Sequence, residues 1–115
     1  MALALNVFRT VTKVATDTEV SVYTAPVGYS GVILLAQATN IDTQNTYEIT
    51  FSHRRIISNS PVITEIVKDY PIPSSEASNL LFGKLILETN DSLILSSNDP
   101  SGNIKLILSI LETLN

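Results

Sequence analysis

Few residues of this chain are of a type and spacing that could carry out chemistry. His53 is the only histidine among 115 residues. It shares strand parity with Tyr47, Ile49 and Phe51, which predicts a packing role at a strand end. A metal site built on one histidine needs carboxylate ligands close by. The sequence therefore predicts neither a metal site nor a cofactor site.

Acidic and hydroxyl side chains also lack a catalytic arrangement. Glu88 and Asp91 could serve as a carboxylate pair, but they flank a hairpin turn, where such residues cap the backbone and face water. The serine-rich stretch from Ser74 to Ser78 offers hydroxyl groups without a paired base. Because no base, nucleophile and metal ligand occur together, we expect a protein that is not an enzyme.

Two other pairs of residues have the chemistry to bind a partner. Arg54 and Arg55 form the only adjacent basic pair and could meet an acidic patch on a neighbouring subunit, the alternative being a solvated strand end. Tyr47 and Phe51 could form an aromatic platform for a carbohydrate. Their shared parity with Ile49 instead favours a position in the core.

The composition limits the classes of protein to consider. A chain of 115 residues fits one domain, residues 1–115, with one hydrophobic core. Charged residues make up only 16%, against about 25% in typical domains, which favours association with other proteins. The net charge of −4 is spread thinly, so we expect no binding to nucleic acid. With no cysteine, disulfides and thiolate metal sites are excluded.

The elements that must position these residues are β-strands. Alternating and β-branched segments, separated by turn-forming residues, predict seven or eight strands. Their spacing predicts an all-β fold, an antiparallel β-sandwich that is jelly-roll-like. The least strand-like segment, 71–79, is predicted as a loop with one helical turn. The predicted strands cover approximately residues 6–15, 20–23, 31–39, 47–54, 61–67, 80–88, 92–97 and 104–114.

Several of these strands are apolar at consecutive rather than alternate positions. Successive side chains of a strand point to opposite faces, so such runs need cover on both sides. A chain without obvious helices cannot cover both faces of its own strands. We therefore predict that another copy, or the surface of a larger assembly, covers the second face. The runs are 32–36, 85–87, 93–95 and 106–108, and the predicted interface residues are Val32, Leu34, Ile107 and Leu111, with Arg54 and Arg55.

The sequence carries no sign of a membrane segment. Residues 1–6 lack the positive region and the long apolar core of a secretory signal, so we expect the protein to be made and kept in the cytosol. Residues 20–41 are uncharged, but they contain Pro26, Gly28 and Gly31 and are typical of two strands joined by a turn. We therefore expect no membrane partner.

Several strands and turns of this chain form a pattern known from one family of proteins. They are segment 22–28, the strand ending at Asn40, and segments 69–73, 85–93 and 109–112. Taken together, they resemble those of small bacteriophage virion proteins. The likeness extends from about Val22 to Glu112 and consists of structural turns rather than chemical motifs. One departure is Asn90, where that family more often has glycine, and asparagine tolerates the same left-handed backbone.

This resemblance implies an all-β sandwich and an accessory role in a phage particle. We expect a capsid decoration, or cement, protein that forms a homo-oligomer and stabilises the particle after assembly in the host cytoplasm. Its partners would be phage capsid or tail and neck proteins. The alternatives are a neck or tail component, or a module on the virion that binds carbohydrate or the host surface.

Overall fold

Strands form along almost the whole chain, as the alternation of apolar and polar residues predicts. The computed structural model describes residues 5–115. Within that range nine strands follow one another, and the loops between them are short. In chain order they are β1 (Asn6–Ala15), β2 (Val20–Thr24), β3 (Tyr29–Asn40), β4 (Tyr47–Ile57), β5 (Ser60–Ile72), β6 (Ala77–Asn79), β7 (Leu85–Leu87), β8 (Ser92–Ser97) and β9 (Ile104–Leu114).

The strands form two antiparallel sheets. The five-stranded sheet has the order β1-β9-β3-β6, and β7 also pairs with β3. The four-stranded sheet has the order β2-β8-β4-β5. The pairings are nested along the chain: β1 pairs with β9, β2 with β8, β3 with β6 and β7, and β4 with β5. The predicted all-β sandwich is confirmed.

The hydrophobic core lies between the two sheets. On β9 the alternation is regular: Ile104, Leu106, Leu108 and Ile110 are buried, and the residues between them are not. Facing strands contribute side chains in the same alternation, so each sheet buries its inner face. The other fully buried large side chains are Ile33, Ile49, Phe51, Ile72, Leu80, Leu87, Leu93 and Leu95.

The edge of the five-stranded sheet differs from the prediction. Residues predicted as a loop contain the end of β5 and all of β6, whereas the strand predicted over 80–88 is reduced to β7. The reason is a bulge in β3 between Ile33 and Leu35, where its register with β9 shifts. The bulge lies where the pairing of β3 with β7 ends and before its pairing with β6 begins. The two short strands replace one predicted strand, so the sheets contain nine strands instead of the predicted seven or eight.

A hydrogen-bonded asparagine fixes the far end of β3. Asn40 is fully buried, and its amide nitrogen donates to the carbonyl oxygens of Asn45 and Ile72 at 2.9 and 3.0 Å. Its side-chain oxygen accepts from the Asp42 amide at 2.9 Å. Buried amide groups are costly when unpaired, so these bonds hold the loop after β3 against the end of β5.

The β4–β5 hairpin projects beyond the rest of its sheet. The neighbouring strand β8 pairs with β4 only from Ile49 to Arg54, so residues 55–62 form an arm with β4 and β5 paired only to each other. Ser58 and Asn59, at φ 51° and 64°, form the two-residue turn at its tip. The arm exposes Ile56, Ile57 and Val62, and Ile63 is exposed at its base.

The outer edge of β5 is unsuited to pairing with another strand. Two irregularities interrupt its register with β4, and Asp69 within one of them has φ 47°. Pro61 and Pro71 lack an amide hydrogen. Bulges and prolines on an edge strand prevent strand addition. The strand that contains Pro61, β5, accordingly lies at the edge of the four-stranded sheet.

The uncharged segment 20–41 forms two strands and a turn, as predicted. Across residues 5–115, no helix has the length and apolar character needed to cross a membrane.

The turn between β2 and β3 generates a prediction. Gly28 has φ 85°, and the Tyr29 amide donates to the Pro26 carbonyl at 3.0 Å. A β-branched residue is strained in this backbone region, so Gly28→Val should lower the free energy of unfolding by about 1–3 kcal/mol. The neighbouring Val27→Ala should change it by less than about 0.5 kcal/mol, since Val27 is 79% exposed. Chemical denaturation measures both, and equal losses would contradict the turn assignment.

Candidate functional site

The outer face of the five-stranded sheet carries a continuous row of apolar side chains. Phe8 on β1 lies opposite Leu111 on β9, which lies opposite Val32 on β3, which lies opposite Ile86 on β7. We call these four residues the apolar row. Phe8 is 76% exposed and Ile86 is 62% exposed, while the two central residues are half-buried by their neighbours. Exposed apolar patches of this kind typically mark interaction sites.

Further apolar residues extend the row along the strands. Leu34 and Leu35 are both exposed because the bulge in β3 turns two consecutive side chains outward. Ile107 lies four residues before Leu111, on the same face of β9, and is 38% exposed. Val14 is exposed near the end of β1. The outer face therefore carries apolar side chains in the apolar row and at Leu34, Leu35 and Ile107, with polar residues such as Ser109 and Gln37 between them.

The structure brings together the four apolar residues predicted as interface from the sequence. Val32, Leu34, Ile107 and Leu111 all lie on this outer face, with the core residues of β3 and β9 on the other side. Their contact with a partner stays a prediction. Phe8, Leu35 and Ile86 also lie on this face and were not among the predicted interface residues. Phe8 shares parity with Thr10 and Thr12, and that parity is the signal that could have placed it outward.

The predicted basic pair is split between two faces of β4. Arg55 bonds to two carboxylates of its own chain: its Nε and one terminal nitrogen contact Asp91 at 2.9 and 2.6 Å, and that terminal nitrogen also contacts Glu88 at 2.6 Å. Arg54 lies on the opposite face of the strand. The proposed contact of these arginines with a neighbouring subunit remains a prediction.

Asp91 is the centre of a buried charged cluster at the base of the arm. Its carboxylate accepts from Arg55, from the ring of His53 at 3.1 Å and from the Glu88 amide at 2.9 Å. Burial raises the pKa of Asp91, but these hydrogen bonds outweigh burial and lower that pKa to about 2. The hydrogen bond to Asp91 raises the pKa of Arg55. Asp91 thus ties the turn before β8 to strand β4.

His53, Glu88 and Asp91 meet at the turn before β8. The sequence predicts His53 at a strand end, but His53 lies within β4, which continues to Ile57, and its ring is hydrogen-bonded to Asp91. Asp91 caps the turn, because its carboxylate accepts from the Glu88 amide at 2.9 Å, but it is buried and does not face water as predicted. Within residues 5–115, no group of three or more histidine, cysteine or acidic side chains is placed to hold a metal ion.

A cleft of about 560 Å³ lies between the arm and this turn. Arg55, Ile56, Glu88 and Asp91 are among the residues that line it. Its charged groups are bonded to each other, with both Asp91 oxygens occupied by donors. The cleft therefore offers no unoccupied buried carboxylate to act as a general base.

A second buried carboxylate joins the two sheets. Glu112 on β9 accepts from Arg9 on β1 at 2.7 Å and from the Tyr23 hydroxyl on β2 at 2.6 Å. Burial, followed by the bond to Glu112, raises the pKa of Tyr23. A Cβ on Gly31 would lie 3.0 Å from the Tyr23 ring, so glycine at this position makes room for the tyrosine to reach Glu112.

The aromatic residues considered for carbohydrate binding do not form an exposed platform. Phe51 is fully buried in the core, as its parity predicts. Tyr47 is half-buried, and its hydroxyl donates to Asp42 at 2.9 Å. The strongly exposed aromatic side chains of residues 5–115 are Phe8, in the apolar row, and Phe82, in the loop between β6 and β7.

Comparison with known proteins finds likeness in structure only. No protein-family model matches the sequence, and no curated protein matches it. A chain of the T13 IBDV viral particle aligns with 97% of this chain at 6% identity and a TM-score of 0.57. The alignment covers 32% of that viral chain, so this protein spans about a third of its length. At this identity the likeness shows the sandwich fold alone.

Two other solved structures are more distant. A pentameric capsid protein from metagenomic phage sequences aligns over 90% of this chain and 64% of its own, at 13% identity and a TM-score of 0.44. A protein of Bacillus endospore appendages, described as disulfide-linked pili, aligns over 100% of this chain and 97% of its own, at 9% identity and a TM-score of 0.45. These two likenesses are too weak to support an argument about this chain.

The charged cluster predicts how stability depends on pH. Because the pKa of Asp91 is lowered from 3.8 to about 2, its ionised form stabilises the fold above about pH 4, and this contribution is lost as the pH falls through 2. Asp91→Asn should lower the free energy of unfolding at neutral pH and make its decline between about pH 4 and pH 2 shallower.

Chemical denaturation at a series of pH values measures this slope. Asp17→Asn is the matched control, since Asp17 is exposed in the turn after β1 and forms no ion pair within residues 5–115. Asp42, whose pKa is also lowered to about 2 by bonds from Gln44, Asn45 and Tyr47, is intact in both variants. Parallel pH profiles for the unaltered protein and Asp91→Asn would contradict the role given to Asp91.

Proposed function

We propose that this chain is a non-enzymatic structural protein of a virus particle that assembles with further copies of itself. The observation that carries this proposal is the apolar row across the outer face of the five-stranded sheet. Four strands contribute to it, and its two ends, Phe8 and Ile86, are mostly exposed. Burying such a face stabilises an assembly by roughly 25 cal/mol per Å² of apolar area removed from water.

The two outer faces of the sandwich differ, which supports a role as a decoration protein of the capsid. The outer face of the four-stranded sheet carries small or polar residues at positions such as Ser21, Thr50, Ser52 and Ser96, with Ile94 buried among them. A subunit that sits on a shell needs one face suited to protein contact and one suited to water. The five-stranded sheet supplies the first, and the four-stranded sheet supplies the second away from the arm, around Ser21, Thr50 and Ser96.

The fold and the sequence resemblance support the same class. The nested strand pairing of the sandwich supports a jelly roll, an architecture that is used in viral capsid domains. A chain of a virus particle shares the sandwich fold, and the turns resemble those of small bacteriophage virion proteins. These likenesses support our proposal of a single-domain protein bound to capsid proteins on a phage particle that assembles in the host cytoplasm. A neck or tail position would use the same apolar face.

The functional test compares aspartate substitutions at two adjacent positions of β9. Ile107→Asp places a carboxylate on the outer face, so the isolated chain should fold but assemble poorly, because a charge buried at an interface loses its hydration. Leu108→Asp places the same charge in the core, where Leu108 is fully buried, and should prevent folding. Soluble yield, thermal melting and the mass of the assembled species by light scattering measure both variants.

Incorporation of the two variants into particles, located by electron microscopy, completes this test. The unaltered protein should form oligomers at micromolar concentration and bind the outside of the head. A folded Ile107→Asp that assembles as well as the unaltered protein would overturn the proposed face. An unaltered protein that stays monomeric and never joins a particle would overturn the proposed function.

A further inference from the structure

A groove of about 410 Å³ lies at one end of the apolar outer face of the five-stranded sheet. Lys105 lies in it between Val14 on β1 and Thr39 on β3. No carboxylate lines the groove, and Lys105 forms no ion pair within residues 5–115. Lys13 also lines the groove, so two lysines face it without an opposing carboxylate. The other lining residues are Thr12, Val14, Thr39, Ile41, Leu106 and Ile107.

The base of the arm presents the opposite charge in similar surroundings. Ile63 and Glu65 lie two residues apart on β5, so their side chains point to the same face. Both are exposed, and Glu65 forms no ion pair in the described part of the chain. Ile56 and Pro61, which lie opposite each other, continue this face along the arm.

The two surfaces match in spacing, polarity and sign. On β9 an isoleucine and a lysine lie two residues apart, as Ile107 and Lys105. On β5 an isoleucine and a glutamate lie two residues apart, as Ile63 and Glu65. Both spacings are about 6.6 Å along a strand. Stacked sheets pack face to face, so one pair can lie over the other.

We propose that the arm base of one copy packs on the groove of a second copy, with Ile63 against Ile107 and Glu65 against Lys105. This deepens the proposed function and rests on it, since it names the occupant of the apolar face. With the same register continued, Pro61 lies over Ser109, whose neighbour Leu35 is exposed. The contact buries apolar side chains and pairs both charges.

The positions of the two surfaces require two copies. The arm lies at the end of the four-stranded sheet where Arg54 pairs with Ser92. The groove lies at the other end, where the Ser97 amide donates to the Thr16 carbonyl. One chain cannot bring these surfaces together. Because they differ, the contact is heterologous and builds a ring or an open chain of subunits.

Side-chain packing is the mode of contact that this edge of the sheet permits. The bulges and prolines of β5 block strand addition, whereas the exposed faces of its side chains remain available. Specific interfaces bury about 800 Å² per partner. The contact therefore extends from the groove onto the adjacent apolar face of β3 and β9.

Charge reversal tests this pairing in the full chain. Sedimentation velocity over a concentration series should give a dissociation constant at least about tenfold weaker for Glu65→Lys and for Lys105→Glu, because each places like charges in contact. The double variant restores an opposite pair and should return to within about threefold of the unaltered protein. Glu76→Lys and Lys84→Glu change the net charge equally at exposed sites outside the contact, and should leave association unchanged.

The pattern of outcomes separates this inference from the proposed function. The arm-to-groove pairing is wrong if the unaltered protein associates and both single variants associate equally well, or if the double variant shows no rescue. In either case the proposal that the apolar face is an interface still stands. If only Lys105→Glu weakens association, the face pairs with itself or with another protein, and the pairing is again wrong. If neither the unaltered protein nor any variant associates, the proposed function itself is wrong.

Cross-linking gives a second readout, which is unambiguous because the chain contains no cysteine. Under oxidation, the double variant Ile63→Cys with Ile107→Cys should form disulfide-linked species larger than dimers, since each copy is linked on two sides. Each single cysteine variant should stay uncross-linked. Efficient dimer formation by Ile107→Cys alone would show a self-paired face and overturn the inference.

Discussion

β3 and β9 lie in the middle of the five-stranded sheet and carry apolar side chains on both of their faces. The inner side chains, such as Ile33 and Ile110, are covered by the four-stranded sheet and are fully buried. The outer ones, such as Val32 and Leu111, are covered only by their neighbours in the same sheet. A sandwich of two sheets has one interior, so this sequence contains more apolar strand surface than its own fold can bury.

The positions of the charged side chains follow from this excess of apolar strand surface. Two buried carboxylates hold the structure together at its margins: Asp91 ties the turn before β8 to β4, and Glu112 ties β1 and β9 to Tyr23 of β2. Both are paired within the chain, so the fold gains cross-links between elements without placing these charges on the outer face. On the strands of that face Lys105 is the charged side chain, and the polar residues that interrupt its apolar surface, such as Thr10, Ser109 and Gln37, are neutral. Lys105 therefore marks one end of this face. Its charge can fix the direction and the register in which a second copy binds.

Much of this arrangement could be predicted from the sequence, because strand alternation is a local property. The alternation on β9 correctly separates Leu108 from Ile107, and the positive φ of Asn90 matches its position in the predicted turn. Elements that depend on distant pairing could not be predicted. The bulge in β3 turns Leu35 outward and splits the opposing edge into two short strands, and no local pattern marks it.

The charged clusters were also beyond local prediction. Arg55 and Asp91 are 36 positions apart in the chain, and Glu112 and Arg9 are 103 apart. Only the nested pairing of the strands brings them together. Glu88 and Asp91 are turn residues, as predicted, but Asp91 is buried instead of facing water, because the sheet order places Arg55 against its carboxylate.

The central claim is that a partner covers the apolar outer face in the assembled protein. Hydroxyl-radical footprinting, read out by mass spectrometry, measures this directly on Phe8 and Ile86 in dissociated and assembled protein, with Tyr70 on the other sheet as an internal reference. The account predicts that labelling of Phe8 and Ile86 falls several-fold on assembly and that labelling of Tyr70 is unchanged. Equal labelling of Phe8 and Ile86 in both states would contradict it.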